Sequence, residues 1–200
     1  MKKIIIFGGT FNPIHIGHIE MLSALATVKD TEKIFLMPDK IPPHKTCDML
    51  ASDTHRLNMC KILANKFNNV FVSELELNRE GKSYTIDTVK ELKALYPDYQ
   101  ICIVIGGDML ASFDKWKDYR KLLNLCQIIC FSRVGLDKNL LEEKIKIFND
   151  IGADIVLLDN EITEVSSSFL RQNLGNLEIL SKNIDKEILE YIINNNIYGE

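Results

Sequence analysis

Short apolar runs alternate along the chain with stretches whose apolar residues recur at helical spacing. Six of the runs are rich in β-branched residues and predict strands, at residues 3–7, 33–37, 70–73, 101–105, 127–131 and 154–158. Because these runs are continuously apolar, we expect the strands to be covered on both faces. The pattern therefore predicts an α/β fold with a doubly wound, mostly parallel sheet of about six strands flanked by helices.

The stretches between the strands predict amphipathic helices. Ile19, Leu22 and Leu25 form one apolar helical face, and residues 57–64 form another. Further helices are predicted over 85–95, 115–125, 138–149 and 184–195. No linker or repeat interrupts the alternation, so we predict a single domain over residues 1–200. In such a sheet, ligands bind beyond the carboxyl ends of the strands, which directs attention to the residues after each strand.

Composition and charge narrow the class of protein. The 200 residues carry a formal net charge of −4, which disfavours nucleic-acid binding by a general basic surface. No apolar run approaches the roughly 20 residues of a membrane span, and the N-terminus lacks a signal-peptide pattern. We therefore expect a cytoplasmic protein without nucleic-acid or membrane partners; a homo-oligomer is compatible with the sequence. The five scattered cysteines, without a CxxC pair, predict reduced core thiols, with Cys47 as the candidate reactive one.

The stretch GGTFNPIHIGH follows the first predicted strand and concentrates unusual residues. Its two glycines permit a tight turn and leave no Cβ between the backbone and a ligand's phosphates. Pro13 keeps Asn12 out of the α region and delays the next helix to around residues 14–17. His15 and His18 would then share one helix face near the N-terminus, where free N–H groups and the helix dipole attract anions.

Two other uses of this stretch remain open on the residues alone. A Gly-Gly pair after a strand is a common turn without any ligand. His15 and His18 could ligate a metal, but no third ligand follows at a matching spacing and no His-Asp dipeptide occurs. Neither GxGxxG nor GxxxxGK[ST] is present, so the dinucleotide fingerprint and the P-loop are both excluded. We predict an anion site with no metal bound by protein side chains.

The same stretch resembles the phosphate-binding signature of the nucleotidyltransferase superfamily, which shares its HxGH motif with class I aminoacyl-tRNA synthetases. Five further stretches are similar to the bacterial nicotinate-nucleotide adenylyltransferases: PPHK, HRLNM, GKSYTIDTVKEL, GGDMLASFDKWKDY and VSSSFLR. They cover nearly the whole chain in the expected order. The resemblance implies a Rossmann-like nucleotidyltransferase fold. It also implies transfer of AMP from ATP to nicotinate mononucleotide, giving deamido-NAD and pyrophosphate in NAD biosynthesis.

The resemblance also implies roles for individual residues. The catalytic residues would be His15, His18 and Arg171. The residues that bind ATP would come from the first motif and from VSSSFLR: Gly8, Gly9, Thr10, Phe11, Gly17, Ser166 and Ser167. The serines also predict a helix N-cap on their own chemistry. Mg²⁺ is expected with ATP, held largely by phosphates and water.

Five residues would bind nicotinate mononucleotide: Lys45, Thr85, Asp108, Trp116 and Arg133. By resemblance, Trp116 stacks on the pyridine ring, Thr85 and neighbouring amides receive the nicotinate carboxylate, and Asp108 holds a hydroxyl. Each also has an ordinary structural interpretation, as a solvated cation, a packed tryptophan or a turn carboxylate. Lys45 lies in the proline-rich segment 38–52, which lacks periodicity and is long enough to be functional.

The sequence departs from the family pattern at two positions. Asn12 stands where Asp is usual, and Ser168 where Thr is commoner, and both changes keep a short polar side chain. The closest alternative functions are an adenylyltransferase acting on nicotinamide mononucleotide or pantetheine phosphate, and a nucleotide-binding module without turnover. A tRNA synthetase is disfavoured because 200 residues leave no room for a tRNA-recognition domain.

Overall fold

The strands form one parallel sheet at the centre of the molecule. The structure, a computed structural model, describes residues 1–40, 49–132, 138–160 and 162–199. The strands are β1 (Lys3–Gly9), β2 (Thr31–Pro38), β3 (Val70–Val72), β4 (Gln100–Gly106), β5 (Gln127–Phe131) and β6 (Asp154–Leu158). They pair in the order β3-β2-β1-β4-β5-β6, each parallel to its neighbours. The predicted doubly wound α/β fold is confirmed.

In the part of the chain that the structure describes, most helices lie between successive strands and three follow β6, with some differences from the prediction. Their bounds in the described residues are α1 (Ile16–Ala26), α2 (Asp53–Ala64), α3 (Thr85–Leu95), α4 (Gly107–Ala111), α5 (Tyr119–Leu125), α6 (Lys138–Asp150), α7 (Ser167–Gln172), α8 (Leu177–Asn183) and α9 (Lys186–Asn194). None of them combines the length and apolar character that a membrane span requires.

The helix predicted over 115–125 is shorter than expected. A 3-10 turn at Phe113–Lys115 precedes it, and Asp118 has a left-handed φ of 52°, so α5 begins only at Tyr119. The prediction missed the short helices α4 and α8. Helices of so few turns cannot show a repeating apolar face in the sequence.

The sheet is covered on both faces, as its apolar strands predicted. Ile5 and Phe7 of β1 pack in one core cluster with α1, α2 and α9, whereas Ile4 and Ile6 pack on the opposite face with α3, α5 and α6. The cysteines at 60, 102, 126 and 130 are buried. Burial raises the pKa of the last three thiols to about 12, so they stay protonated near neutral pH. Cys47 lies outside the described residues.

The strand order places the topological switch point between β1 and β4. From β1 the chain winds outward through β2 and β3, then crosses back to β4 on the other side of β1. Loops that follow β1 and β4 therefore leave in opposite directions. In sheets of this order, such divergence opens a crevice at the carboxyl ends of the two strands, and ligands bind there.

Candidate active site

The glycines that follow the apolar run continue the first strand. Gly8 and Gly9 pair with Met37 and Pro38 of β2, so the prediction of a tight turn at these glycines is wrong. The reversal comes later, at Phe11, whose φ of 50° is left-handed, and the Asn12–Pro13 peptide is cis. Gly8 is exposed, and among the described residues a Cβ built on it would meet no atom closer than the Met37 carbonyl oxygen at 3.9 Å. The part of the chain that the structure describes therefore leaves space above the end of β1.

Phe11 is part of the core beneath the site. Its side chain is 2% exposed and packs edge-on to Phe7 and His18, with ring centroids 5.7 and 5.2 Å away. A Cβ on Gly9 would lie only 3.1 Å from the same ring. The resemblance implies that Gly9 and Phe11 also contact ATP, and these two roles stay predictions. Gly9 makes room for the Phe11 ring, and that ring supports His18.

His15 and His18 lie together at the start of α1. His15 is the N-cap residue, and its ring stacks on that of His18 with centroids 3.7 Å apart. The shared direction predicted for the two side chains is confirmed. The backbone N–H of His15 donates to Nδ1 of His18 at 3.2 Å. A neutral His18 therefore carries its proton on Nε2, the ring nitrogen that can donate to a phosphate oxygen.

The second nucleotide motif meets the first one directly. Ser166 is the N-cap of α7, as the serines predicted, and accepts a hydrogen bond from the Phe169 N–H at 3.1 Å. Ser167 donates its hydroxyl to the Pro13 carbonyl at 2.9 Å, and Arg171 donates to the Asn12 carbonyl at 2.7 Å. Residues from opposite ends of the chain thus converge on the loop between β1 and α1.

A clamp between α1 and the segment before α7 maintains this convergence. Glu20 accepts hydrogen bonds from the backbone N–H and the hydroxyl of Thr163, at 2.6 and 2.8 Å. A Cβ on Gly17 would lie 3.1 Å from the Thr163 carbonyl oxygen. The absence of a side chain at Gly17 therefore lets the neighbouring chain approach, and the expected contact of Gly17 with a ligand stays a prediction. The sequence carries no signal for the Glu20 contact, which joins residues 143 positions apart.

A buried arginine, which the sequence analysis missed, supports Thr10. Arg56 of α2 is 0% exposed and donates to the Thr10 carbonyl at 2.9 Å and to Asp39 at 3.3 Å; it also pairs with Asp53. The Thr10 hydroxyl donates to the same Asp39 carboxylate at 3.1 Å. The sequence did contain a sign of this role, because Arg56 lies on the apolar face of α2 in the HRLNM stretch, where a charged residue is unusual.

Replacing Arg56 by methionine should lower the free energy of unfolding by about 2–3 kcal/mol, because the Thr10 carbonyl loses the guanidinium donor and the Asp39 carboxylate keeps the Thr10 hydroxyl but loses its arginine partner. The partly exposed Asp53 can be solvated, which keeps the loss below that of a fully buried pair. Urea unfolding followed by circular dichroism measures the change. Lys61→Met on the outer side of the same helix removes a half-exposed ion pair and should change stability by about 0.5 kcal/mol or less. Equal unfolding midpoints for the two variants would contradict the role of Arg56.

The residues expected to bind the pyridine mononucleotide lie around α3 and the loops after β4. Thr85 begins α3, and Asp108 is exposed in α4 just beyond the end of β4. The half-buried Trp116 stacks on Phe113 with ring centroids 4.9 Å apart. Lys45 and Arg133 lie outside the described residues, so their roles stay predictions.

Lys117 links the start of α3 to the segment containing Trp116. Its ammonium lies 3.0 Å from the Asp87 carboxylate in the first turn of α3 and 4.3 Å above the Tyr84 ring. Tyr84 precedes Thr85, and Lys117 follows Trp116. The ion pair and cation–π contact therefore hold the neighbours of these two candidate residues against each other. Asp87 thus has a structural role in the first turn of α3, and the sequence analysis did not single out Lys117.

Comparison with known proteins agrees with this geometry. Residues 6–173 match the cytidylyltransferase-like family. The chain is 36% identical to the probable nicotinate-nucleotide adenylyltransferase of Bacillus licheniformis and to the nicotinate-nucleotide adenylyltransferase of Bacillus subtilis, in each case over 99% of both chains. It is 38% identical to the probable nicotinate-nucleotide adenylyltransferase of Fusobacterium nucleatum, over 95% of this chain and 96% of that protein.

A solved structure shares the fold at lower sequence identity. The Plasmodium falciparum nicotinic acid mononucleotide adenylyltransferase complexed with NaAD superposes with a TM-score of 0.83 and 24% identity. The match covers 99% of this chain and 98% of that one. Fold, motifs and full-length similarity agree, and the chain belongs to the cytidylyltransferase-like family and, within it, to the nicotinate-nucleotide adenylyltransferases.

Proposed function

We propose that this protein transfers AMP from ATP to nicotinate mononucleotide, forming nicotinate adenine dinucleotide and pyrophosphate in NAD biosynthesis. The observation that carries the proposal is the contact between the two nucleotide motifs. Ser167 and Arg171 bond to carbonyls of the same loop that leads into His15 and His18. Cationic and hydrogen-bond donor groups thereby collect at the end of β1, beside the exposed Gly8. The relatives named for this activity match over nearly their full length.

The chemistry requires positioning rather than a protein nucleophile. The phosphate of nicotinate mononucleotide is an anion at neutral pH, and one of its oxygens attacks the α-phosphorus of ATP. The new P–O bond forms as the bond to the β-phosphate breaks, and pyrophosphate leaves with the electron pair. Negative charge accumulates on the α-phosphate and the departing oxygens, so donors aimed at these atoms lower the barrier.

His18 and Arg171 supply the donors in this proposal. The His15 N–H orients the His18 ring so that Nε2–H is its donor. Arg171 is fixed by its bonds to the Asn12 carbonyl and to the Ser168 hydroxyl, at 2.7 and 3.3 Å, and a guanidinium has further N–H groups for phosphate oxygens. We propose that ATP enters as its Mg²⁺ complex, with phosphates and water as the main ligands of the metal ion.

The pyridine ring is proposed to bind between Trp116 and the start of α3. The first N–H groups of a helix favour an anion, and a carboxylate accepts hydrogen bonds only, whereas a carboxamide also carries donors. Thr85 at the start of α3 therefore favours the acid over the amide. Lys45 and Arg133 are proposed, on the motif alone, to contact the phosphate of the mononucleotide.

Pyrophosphate release tests the proposal directly. The protein is given ATP and Mg²⁺ with either nicotinate mononucleotide or nicotinamide mononucleotide. We expect kcat/KM for the acid to exceed that for the amide by about 100-fold or more, because the NH2 group of the carboxamide would face the N–H donors at the start of α3. Equal kcat/KM values for the two compounds would support adenylyl transfer but contradict a preference for the acid. Absence of release with both compounds would refute adenylyl transfer to a pyridine mononucleotide.

We also propose a cytoplasmic location, since ATP, the proposed co-substrate, is held inside the cell. Fractionation of cells that express the tagged chain would check this.

A further inference from the structure

The last residues of the chain return to the loop that contains the nucleotide motif. After α9 ends at Asn194, left-handed φ values of 48° at Asn196 and 73° at Tyr198 reverse the backbone. Ile197 anchors the reversal, because its side chain is buried in the core cluster that also contains Phe11. The reversal brings the Tyr198 ring under the loop between β1 and α1.

Asn12 is the residue that Tyr198 meets there. The Tyr198 hydroxyl donates to Asn12 Oδ1 at 2.7 Å, and the Ala51 N–H donates to the same oxygen at 3.0 Å. Asn12 Nδ2 donates in turn to the Met49 carbonyl at 3.1 Å. Asn12 is 1% exposed, and its side-chain amide is held by three residues from two chain segments.

The backbone of Asn12 continues this network to Arg171. Its carbonyl accepts the 2.7 Å hydrogen bond from the Arg171 guanidinium. Burial raises the pKa of the Tyr198 phenol, although Arg171 and Arg56 lower it. The hydroxyl thus stays protonated at working pH and acts as the donor to Asn12. Asn12 therefore connects Tyr198, near the end of the chain, to Arg171, a proposed catalytic cation.

We propose that Tyr198 is a positioning residue for adenylyl transfer, which fixes Asn12 and thereby sets the place of the Arg171 guanidinium. The inference rests on the proposed function. A displaced Arg171 still carries its charge, so substrate binding is largely kept, but its donors no longer meet the α-phosphate as charge develops. The effect therefore falls on kcat more than on KM.

The matched test compares two tyrosines near the C-terminus. Tyr198→Phe removes only the hydroxyl bonded to Asn12. Tyr191→Phe removes a hydroxyl bonded to His55 and Asn58 on α2, both at 2.9 Å. We expect Tyr198→Phe to lower kcat about 10-fold with KM values changed by about twofold or less. Tyr191→Phe should leave kcat within about twofold, although it loses two hydrogen bonds where Tyr198→Phe loses one and should lower Tm at least as much.

A double-mutant cycle separates positioning from simple stabilisation. If Tyr198 acts through Arg171, adding Tyr198→Phe to the Arg171→Lys variant should lower kcat by about twofold or less. A full 10-fold loss in that background, or an unchanged kcat in the single variant, would overturn the inference. Kinetic losses that simply follow Tm in both tyrosine variants would also overturn it. Turnover by the unmutated protein is measured first, and its absence would refute the proposed function, and this inference with it.

Discussion

Replacing His18 by alanine is expected to lower kcat by about 10²- to 10³-fold, with KM for ATP changed by about threefold or less. The imidazole is held by the His15 N–H, stacked on the His15 ring and supported by Phe11. This arrangement aims Nε2–H before the reaction begins, so no reorganisation is needed as charge develops. An interaction that strengthens only in the transition state appears in kcat and leaves substrate binding largely intact.

Steady-state pyrophosphate release measures both parameters, and the chain offers a matched histidine as control. His55 lies on α2 and bonds to Tyr191, away from the loop after β1. His55→Ala should therefore leave kcat within about twofold. His18→Gln, which retains an N–H donor, should recover part of the loss. An intact kcat in His18→Ala with a strongly raised KM would show that His18 binds the ground state and would contradict its proposed role.

Replacing Arg171 by alanine is expected to lower kcat/KM by about 10²-fold. The change removes a cation from the site. It also removes the hydrogen bond from Arg171 to the Asn12 carbonyl, which anchors α7 to the loop between β1 and α1. Arg171→Lys keeps the charge but loses the planar fork that reaches Asn12 and Ser168 together. We therefore expect kcat/KM of the lysine variant to be about 10-fold lower than that of the unmutated protein, a smaller loss than in the alanine variant.

The control for loss of one positive charge is Lys182→Ala. Lys182 is exposed on α8 and pairs only weakly with Glu178 across one helical turn, so its removal should leave kcat/KM within about twofold. The same pyrophosphate assay applies to all three variants. If both Arg171 variants retained unmutated kcat/KM, Arg171 would be a solvated residue at a helix end rather than a catalytic one.

The fold follows from features that are local in the sequence. Continuous apolar runs such as residues 101–105 cannot be exposed on either face, so they predict strands covered by helices on both sides. Most helices were predicted because each spans enough turns to repeat an apolar face. The exceptions have local causes. The left-handed Asp118 delays α5, and α4 is too short to show a period.

The candidate site was predictable where its chemistry lies within one short motif. His15 and His18 stand three residues apart, so any helix that includes both must bring their rings together. The serine cap of α7 follows equally from local preference. Gly9 and Gly17 were singled out for contact with a ligand, which stays a prediction. The structure adds that they make room for the Phe11 ring and the Thr163 carbonyl, and only the folded chain shows this.

By itself, the sequence determined the sheet, its buried strands, the paired histidines and the family, because each depends on spacings within a few residues or on an extended motif. The tertiary structure alone decided that Arg56 supports Thr10, that Glu20 holds Thr163 and that Tyr198 meets Asn12. These contacts join residues 46, 143 and 186 positions apart. Hydrophobic periodicity reports which face of an element is buried, but it carries no information about which distant polar group arrives to satisfy a particular carbonyl or amide.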